Sequence, residues 1–218
     1  MVGMVFFYAC VFTVTNIVFV ISIENTNVAN TLIMIALAPM LSAIISFFFL
    51  KENPDKKTWI AIVITTLSVV YIFYDALDTG DFLGNFLGLV CATGLAVGAV
   101  IIRSAKKISL VPSAMLGKLM VTLIALLFVN HLKLENNDII IIPLMCVMCV
   151  AIPFVLVTLA PRYITAAEVN LFFLLETIFG PLWVWFVIKE QPSFETIVGG
   201  TVIVITIAVH SILALKKA

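Results

Sequence analysis

Apolar residues in this chain gather into long unbroken runs, and polar residues fall between them in short clusters. Eight runs stand out, at about Val2–Ile23, Val28–Leu50, Lys57–Tyr74, Phe82–Ile102, Leu110–Val129, Ile139–Ala160, Val169–Ile188 and Ile197–Leu215. A helix rising about 1.5 Å per residue needs about 20 residues to cross the roughly 30 Å hydrocarbon core of a bilayer. The runs match that length, so the pattern predicts eight transmembrane helices in an all-α polytopic membrane protein. The connectors are ENTN, KENPDKK, DALDTGD, RSAKK, HLKLENND, APRYITAAE and KEQPSFE. None is long enough to hold a soluble domain. Pro54 and Pro192 stand where a helix must begin anew rather than continue.

Two stretches are related. Shifting VANTLIMIALAPMLSAIISFFFLKENP (Val28–Pro54) by 138 positions lays it over Ala166–Pro192. Ala29, Leu37, Lys51, Glu52, Pro54 and Thr58 then fall on Ala167, Leu175, Lys189, Glu190, Pro192 and Thr196, and LKENP meets IKEQP. Runs one to three thus match runs six to eight, five helices apart. An odd spacing sends the two copies through the membrane in opposite directions. That is an inverted-topology repeat, a recurrent plan of secondary transporters. Runs four and five have no counterpart ahead of run one, so the plan is expected to lack two N-terminal spans here. The corresponding division places a truncated three-helix repeat at 1–74 and a five-helix repeat at 82–215.

Composition narrows the class. With 63% hydrophobic residues, 11% charged and a mean hydropathy of +1.25, the chain cannot build the surface of a soluble domain, which carries about a quarter charged residues. Net charge is zero, and no charged block suggests nucleic acid. MVGMVFFYACVF has no basic n-region and no small-residue cleavage site, so it reads as a membrane helix. Cys10, Cys91, Cys146 and Cys149 lie inside apolar runs and are expected to be small packing residues; the CxxC spacing of Cys146 and Cys149 lacks the further ligands a metal site needs. Lys and Arg count nine on one side (51, 56, 57, 103, 106, 107, 162, 216, 217) and two on the other (133, 189). The basic side is expected to be cytoplasmic, with both termini on it.

Several segments carry a resemblance. ALAPMLSAIISFFFLKE and LLETIFGPLWVWFVIKE resemble the proline-containing fourth and ninth helices of the drug/metabolite transporter superfamily in its EamA branch. ETIVGGTVIVITIAV is similar to that family's Gly-rich tenth helix, and GNFLGLVCATGLAVGAVIIR to its sixth, with a terminal Arg. The resemblance covers essentially the whole chain. It implies ten helices in two inverted five-helix halves around a central cavity, with helices three to ten present here. The ninth helix of the family often reads Leu-Glu-Pro, whereas here Thr177 follows Glu176 and the proline comes at Pro181. Lys51–Glu52 and Lys189–Glu190, with Pro54 and Pro192 beyond them, match the structural motif that closes the two repeat helices.

Glu176 is the one charge between Val169 and Ile188, and a carboxylate at that depth faces protein or a wet cavity. Phe172, Phe173, Phe179, Gly180 and Trp183 share its helical face. Such a site suits an amine-bearing or amphiphilic metabolite and can take up a proton for coupling; a packing hydrogen bond explains the residue equally. Lys118, the only base inside a run, either pairs with Glu176, meets an anionic substrate group, or snorkels to the interface. Asn16, on one face with Thr13, fixes a ligand or an interhelical bond. Glu168 suits a helix start. Gly180, Pro181 and Pro39 are candidates for a kink or gate. Gly84 and Gly88, continued by Ala92, Gly94 and Gly98, form a close-packing stripe. His131 and His210 have no partner visible in the sequence.

The expected function is a secondary carrier that exports small organic metabolites or drugs by alternating access. The bilayer and the solute are its expected partners, with proton coupling at Glu176, no cofactor or metal, and no Walker loop for ATP. Oligomeric state is left open. The competing readings are an N-terminally truncated fragment or non-transporting membrane partner, and a membrane-embedded enzyme, which would need a polar cluster that the scattered single residues do not form.

Overall fold

The structure, a computed structural model, describes residues 2–26, 28–72, 74, 82–105, 108–128, 138–175, 179, 182, 185–187, 189 and 194–215. Among the described residues, helix falls within every one of the apolar runs. The elements are α1 (Val2–Asn25), α2 (Val28–Ile35), α3 (Ala38–Leu50), α4 (Lys56–Ile72), α5 (Phe82–Ser104), α6 (Val111–Leu126), α7 (Asp138–Met145), a π-helical turn (Cys146–Ala151), α8 (Ile152–Leu159), α9 (Ala166–Phe173) and α10 (Phe194–Leu215). Four helical stretches among the described residues are long and apolar enough to cross a membrane: Gly3–Asn25, Thr31–Leu50, Phe82–Ser104 and Asp138–Arg162. The protein is an all-α, multi-pass membrane protein.

The second of those stretches is not continuous. Ala36 and Leu37 form a turn between α2 and α3, with Leu37 N–H bonded to Met34 O at 3.1 Å. Pro39 supplies the cause. It lacks the N–H that an unbroken helix would aim at Ile35, and it fits in the first turn of a new helix, where that N–H has no partner anyway. The other copy breaks at the same place. Helix α9 covers Ala166–Phe173, which is α2 displaced by 138 positions. Leu174–Leu175 then turns, with Leu175 N–H bonded to Phe172 O at 3.1 Å. Beyond each turn the same bond recurs, Leu41 to Leu37 and Phe179 to Leu175, both at 3.0 Å.

Packing follows membrane rather than aqueous rules. Lipid is as apolar as leucine, so helices associate where small residues let backbones approach and dispersion contacts accumulate. Ala36, Ala43, Ala61, Ala92 and Ala96 are buried, while Phe48 and Phe49 are 72% and 79% exposed. One core joins α2, α3, α4, α9 and α10 through Ile33, Ile62, Val69, Leu171 and Ile203. A second joins α1, α5 and α6 through Tyr8, Ile101 and Leu110. The glycine stripe of α5 runs along α1: a Cβ on Gly84 would stand 2.7 Å from the Asn25 backbone, and one on Gly94 would collide with Thr15 Oγ1. Ser22 adds polar ties, with its hydroxyl at 2.8 Å from Gly84 O and 2.9 Å from Thr31 Oγ1.

The sixth run is different. Between Pro143 and Pro153 the chain makes a π turn, closed by Ile152 N–H to Val147 O. Nearly every residue from Ile139 to Ile152 is exposed. Cys146 and Cys149 lie on that surface, so they are not the packing residues expected. A uniformly apolar run gives no sign of which residues meet protein and which meet lipid. Cys91 is buried against α1, with Sγ 3.8 Å from Thr15 O.

Candidate functional site: a caged lysine and a basic-end ion pair

Helix α6 starts beyond Leu110 with Pro112 in its first turn and presents Ser113, Ala114 and Gly117 as a buried face. Gly117 lets α6 lie against α1, since a Cβ there would come within 2.8 Å of Phe12 and 3.0 Å of Ala9 O. Thr13 Oγ bridges the pair, at 2.8 Å from Ala9 O and 3.1 Å from Gly117 O. The next residue, Lys118, is thereby directed inward. Its Nζ donates to Asn16 Oδ1 at 2.8 Å and lies 4.0 Å from the Phe154 ring centre and 5.2 Å from that of Phe12. Asn16 Nδ2 donates to Phe12 O at 2.7 Å, which fixes the amide with its oxygen toward the lysine. The two rings meet edge to face, 5.2 Å apart at 80°.

Lys118 therefore does not snorkel. The amide oxygen and the ring faces stabilise the charge of the half-buried ammonium. The sequence had paired Asn16 with Thr13 on one helix face; the structure uses both to hold α6, and brings Lys118 to Asn16.

A second polar region lies at the end that gathers Lys51, Lys56, Arg103 and Arg162. Lys51 ends α3 in the left-handed conformation at φ 55°, its N–H returning to Ser46 O. That reversal carries Glu52 back to α5, where Arg103 Nε donates to Glu52 Oε1 at 2.9 Å. Arg103 Nη1 also reaches Pro161 O and Arg162 O at 3.3 and 3.4 Å, and the Arg162 guanidinium donates to Ile108 O. The Glu52 carboxylate thus bonds across the bundle to α5. Beside it is a cavity of about 240 Å³ lined by Ser46, Glu52, Asn53, Pro54, Arg103, Thr165 and Ala167. Helix α9 starts there with a capping box: Thr165 Oγ accepts from Glu168 N–H, and Glu168 Oε2 accepts from Thr165 N–H at 2.8 Å. The same carboxylate stands 3.9 Å from His210 Nε2, which lies 3.0 Å from Thr58 Oγ. His210 thus has two partners, brought from α4 and α9.

Of the other residues singled out by sequence, Phe172 is 39% exposed and Phe173 half-buried on α9, while Pro39 is buried at the start of α3. Glu176, Gly180, Pro181, Trp183, Glu190 and Pro192 lie outside the described residues. Sequence reasoning missed the Glu52–Arg103 and Glu168–His210 contacts. The available signal was that all four residues stand at the ends of apolar runs on one side.

Residues 2–74 and 81–212 match the EamA-like transporter family. The chain belongs to that family, and so to the membrane transporters of the drug/metabolite type, which move small solutes across lipid bilayers. Among solved structures it is similar to a crystal structure with a TM-score of 0.79 and 14% identity, over 92% of this chain and 72% of that one. At that identity the likeness speaks for the fold. The comparison with curated proteins gives no match.

Proposed function

We propose that this protein is a secondary carrier that exports small organic metabolites or drugs across the cell membrane by alternating access. In this reading both termini are cytoplasmic, the basic end faces the cytoplasm, and the repeats rock about the helix breaks. The observation that carries the reading is the pair of matched interruptions, at Ala36–Leu37 and Leu174–Leu175. Backbone groups freed inside a membrane must be met by protein or by a wet cavity, and discontinuous helices in related repeats are where carriers place their sites. Glu176, next to the second break in sequence, is the proposed coupling residue, with Phe172, Phe173 and Trp183 near it; Gly180 and Pro181 are proposed to gate.

The test is efflux from liposomes holding the purified protein and a metabolite mixture, without ATP and with a proton gradient of either sign. Release above that of protein-free vesicles, altered by the gradient and lost in Glu176→Gln, supports the reading. Release equal to that of empty vesicles overturns carriage. Release with unaltered pH dependence in Glu176→Gln rejects that residue's role, and unaltered rates in Gly180→Ala and Pro181→Ala reject the gate.

A further inference from the structure

A carrier that works by alternating access holds one mouth shut while the other is open, and its halves rock against each other to do so. At the basic end, one ion pair spans the two parts of this chain. In the division suggested by the repeat, Glu52 belongs to 1–74, whereas Arg103, Pro161 and Arg162 belong to 82–215. Arg103 Nε donates to Glu52 Oε1 at 2.9 Å, and Nη1 reaches Pro161 O and Arg162 O at 3.3 and 3.4 Å. One guanidinium thus gathers the end of α3, the end of α5 and the turn ahead of α9. The two side chains are only 14% and 28% exposed, so salt screens their attraction less than it would at an open surface.

The same contact is built to part. Arg103 grips one oxygen of the carboxylate through one nitrogen, without the bidentate fork that makes such pairs strongest. The second oxygen, Oε2, is buried and has no hydrogen-bond partner among the described residues, and the same holds for Ser46 Oγ. Ser46, Glu52 and Arg103 all line the cavity of about 240 Å³, which Thr165 and Ala167 bound from the α9 side. Glu52 therefore has room to swing aside. Buried polar atoms need partners, and an opening at this seam would supply water to both Oε2 and Ser46 Oγ. The bond that is lost is offset by two groups that become satisfied.

We infer that Glu52 and Arg103 are the latch of the basic-end mouth. The two parts of the carrier are held together there while the bond stands, and that mouth opens when Glu52 leaves Arg103 for water. This inference rests on the carrier reading above and names the residues that hold one of its mouths shut.

The experiment has two arms, both in protein whose own cysteines are changed to Ser. The first reads the mouth without any transport. Ser46 is 2% exposed, and Ser46→Cys is close to it in size, so it serves as the reporter. A membrane-impermeant maleimide is applied to membranes opened to both sides. Labelling is slow in the parent and at least about tenfold faster once Arg103→Gln or Glu52→Gln is added, the worth of one charge-assisted hydrogen bond. Arg103→Lys, which keeps a charge for Glu52, stays near the parent rate. Glu52→Gln leaves the guanidinium on its two carbonyls, which covers the case in which Arg103→Gln does not fold. Unaltered labelling in Glu52→Gln overturns the latch.

The second arm closes the mouth covalently. A short bis-methanethiosulfonate joins Glu52→Cys to Arg103→Cys, and dithiothreitol releases it. Efflux of the metabolite mixture from liposomes falls at least about tenfold on joining, matching the first arm, and returns on reduction. Efflux that survives joining overturns the latch and leaves the carrier reading intact. Release no greater than from protein-free vesicles, by parent and unjoined variant alike, overturns the carrier reading and the latch with it.

Discussion

Lys51 and Lys189, 138 positions apart, are the two described non-glycine residues with positive φ, at 55° and 65°. A side chain in that region costs about 1 kcal/mol or more, so its recurrence at equivalent positions is no accident of loop shape. Each follows a repeat helix and precedes a glutamate, and Lys189 N–H returns to Trp185 O at 3.0 Å. The left-handed residue closes the helix in the manner of a glycine C-cap. Replacing either lysine with Gly is expected to hold or raise thermal stability in detergent, and replacing it with Val to lower it. A Val variant as stable as the parent would contradict the strain.

Pro39 holds the first break open. Pro39→Ala restores the N–H that a continuous helix directs to Ile35. The expected outcome is several-fold slower transport with an unchanged or higher melting temperature, read by efflux and by thermal unfolding in detergent. Full transport in this variant would separate the break from the carrier cycle.

Gly84 and Gly98 lie on one helix yet differ in what surrounds them. A Cβ at Gly84 meets the Asn25 backbone at 2.7 Å, whereas one at Gly98 finds Tyr8 Cε2 at an ordinary 3.6 Å. Gly84→Ala should cost roughly 1–3 kcal/mol through forced displacement. Gly98→Ala should be neutral or gain up to about 1 kcal/mol from helix propensity. Equal melting shifts in the two variants would refute the difference.

The Glu52–Arg103 pair ties the end of α3 to α5 and, through carbonyls, to the turn at 160–162. Arg103→Lys keeps the charge and loses the fork, at a cost of about 1–2 kcal/mol. A double-mutant cycle with Glu52→Gln should give a coupling of about 0.5–3 kcal/mol. Additive losses would show that the two side chains act separately.

Cysteines placed at Asn25 and Lys56, in a protein whose own cysteines are changed to Ser, test the orientation. A membrane-impermeant maleimide should label position 25 from outside intact cells and position 56 only after permeabilisation. The reverse order would invert the assignment of the basic end.

The apolar runs located the helices to within a few residues, because run length and connector polarity are set by the bilayer. Helix α5 at Phe82–Ser104 and α6 at Val111–Leu126 illustrate this. The break at Ala36–Leu37 had a sign in Pro39; its twin at Leu174–Leu175 was legible only through the repeat. The π turn at Cys146–Ala151 left no trace, since every residue there is apolar whichever way it faces. Polar pairings were the least legible. Whether Lys118 turned inward depended on Gly117 bringing α6 against α1, a three-dimensional fact. Glu168 read correctly as a helix-start carboxylate because a cap is local, whereas its second partner, His210, comes from a distant helix.

Helices α4 and α10 are counterparts in the repeat, and they run alongside each other. Their seam is not alike at its two ends. At one, Thr58 meets His210 through a hydrogen bond of 3.0 Å; at the other, Ile72, which the repeat places opposite His210, presses on Gly199, where a Cβ would stand 2.5 Å away. One end is a polar catch whose release needs water to replace the bond; the other is a dry contact that can part by sliding. In the alternating-access cycle proposed above, the two mouths would part over contacts of different chemistry, one polar and one apolar. The repeat copies are alike in plan, related by a two-fold rotation, and this mismatch in chemistry sets one end of the seam apart from the other.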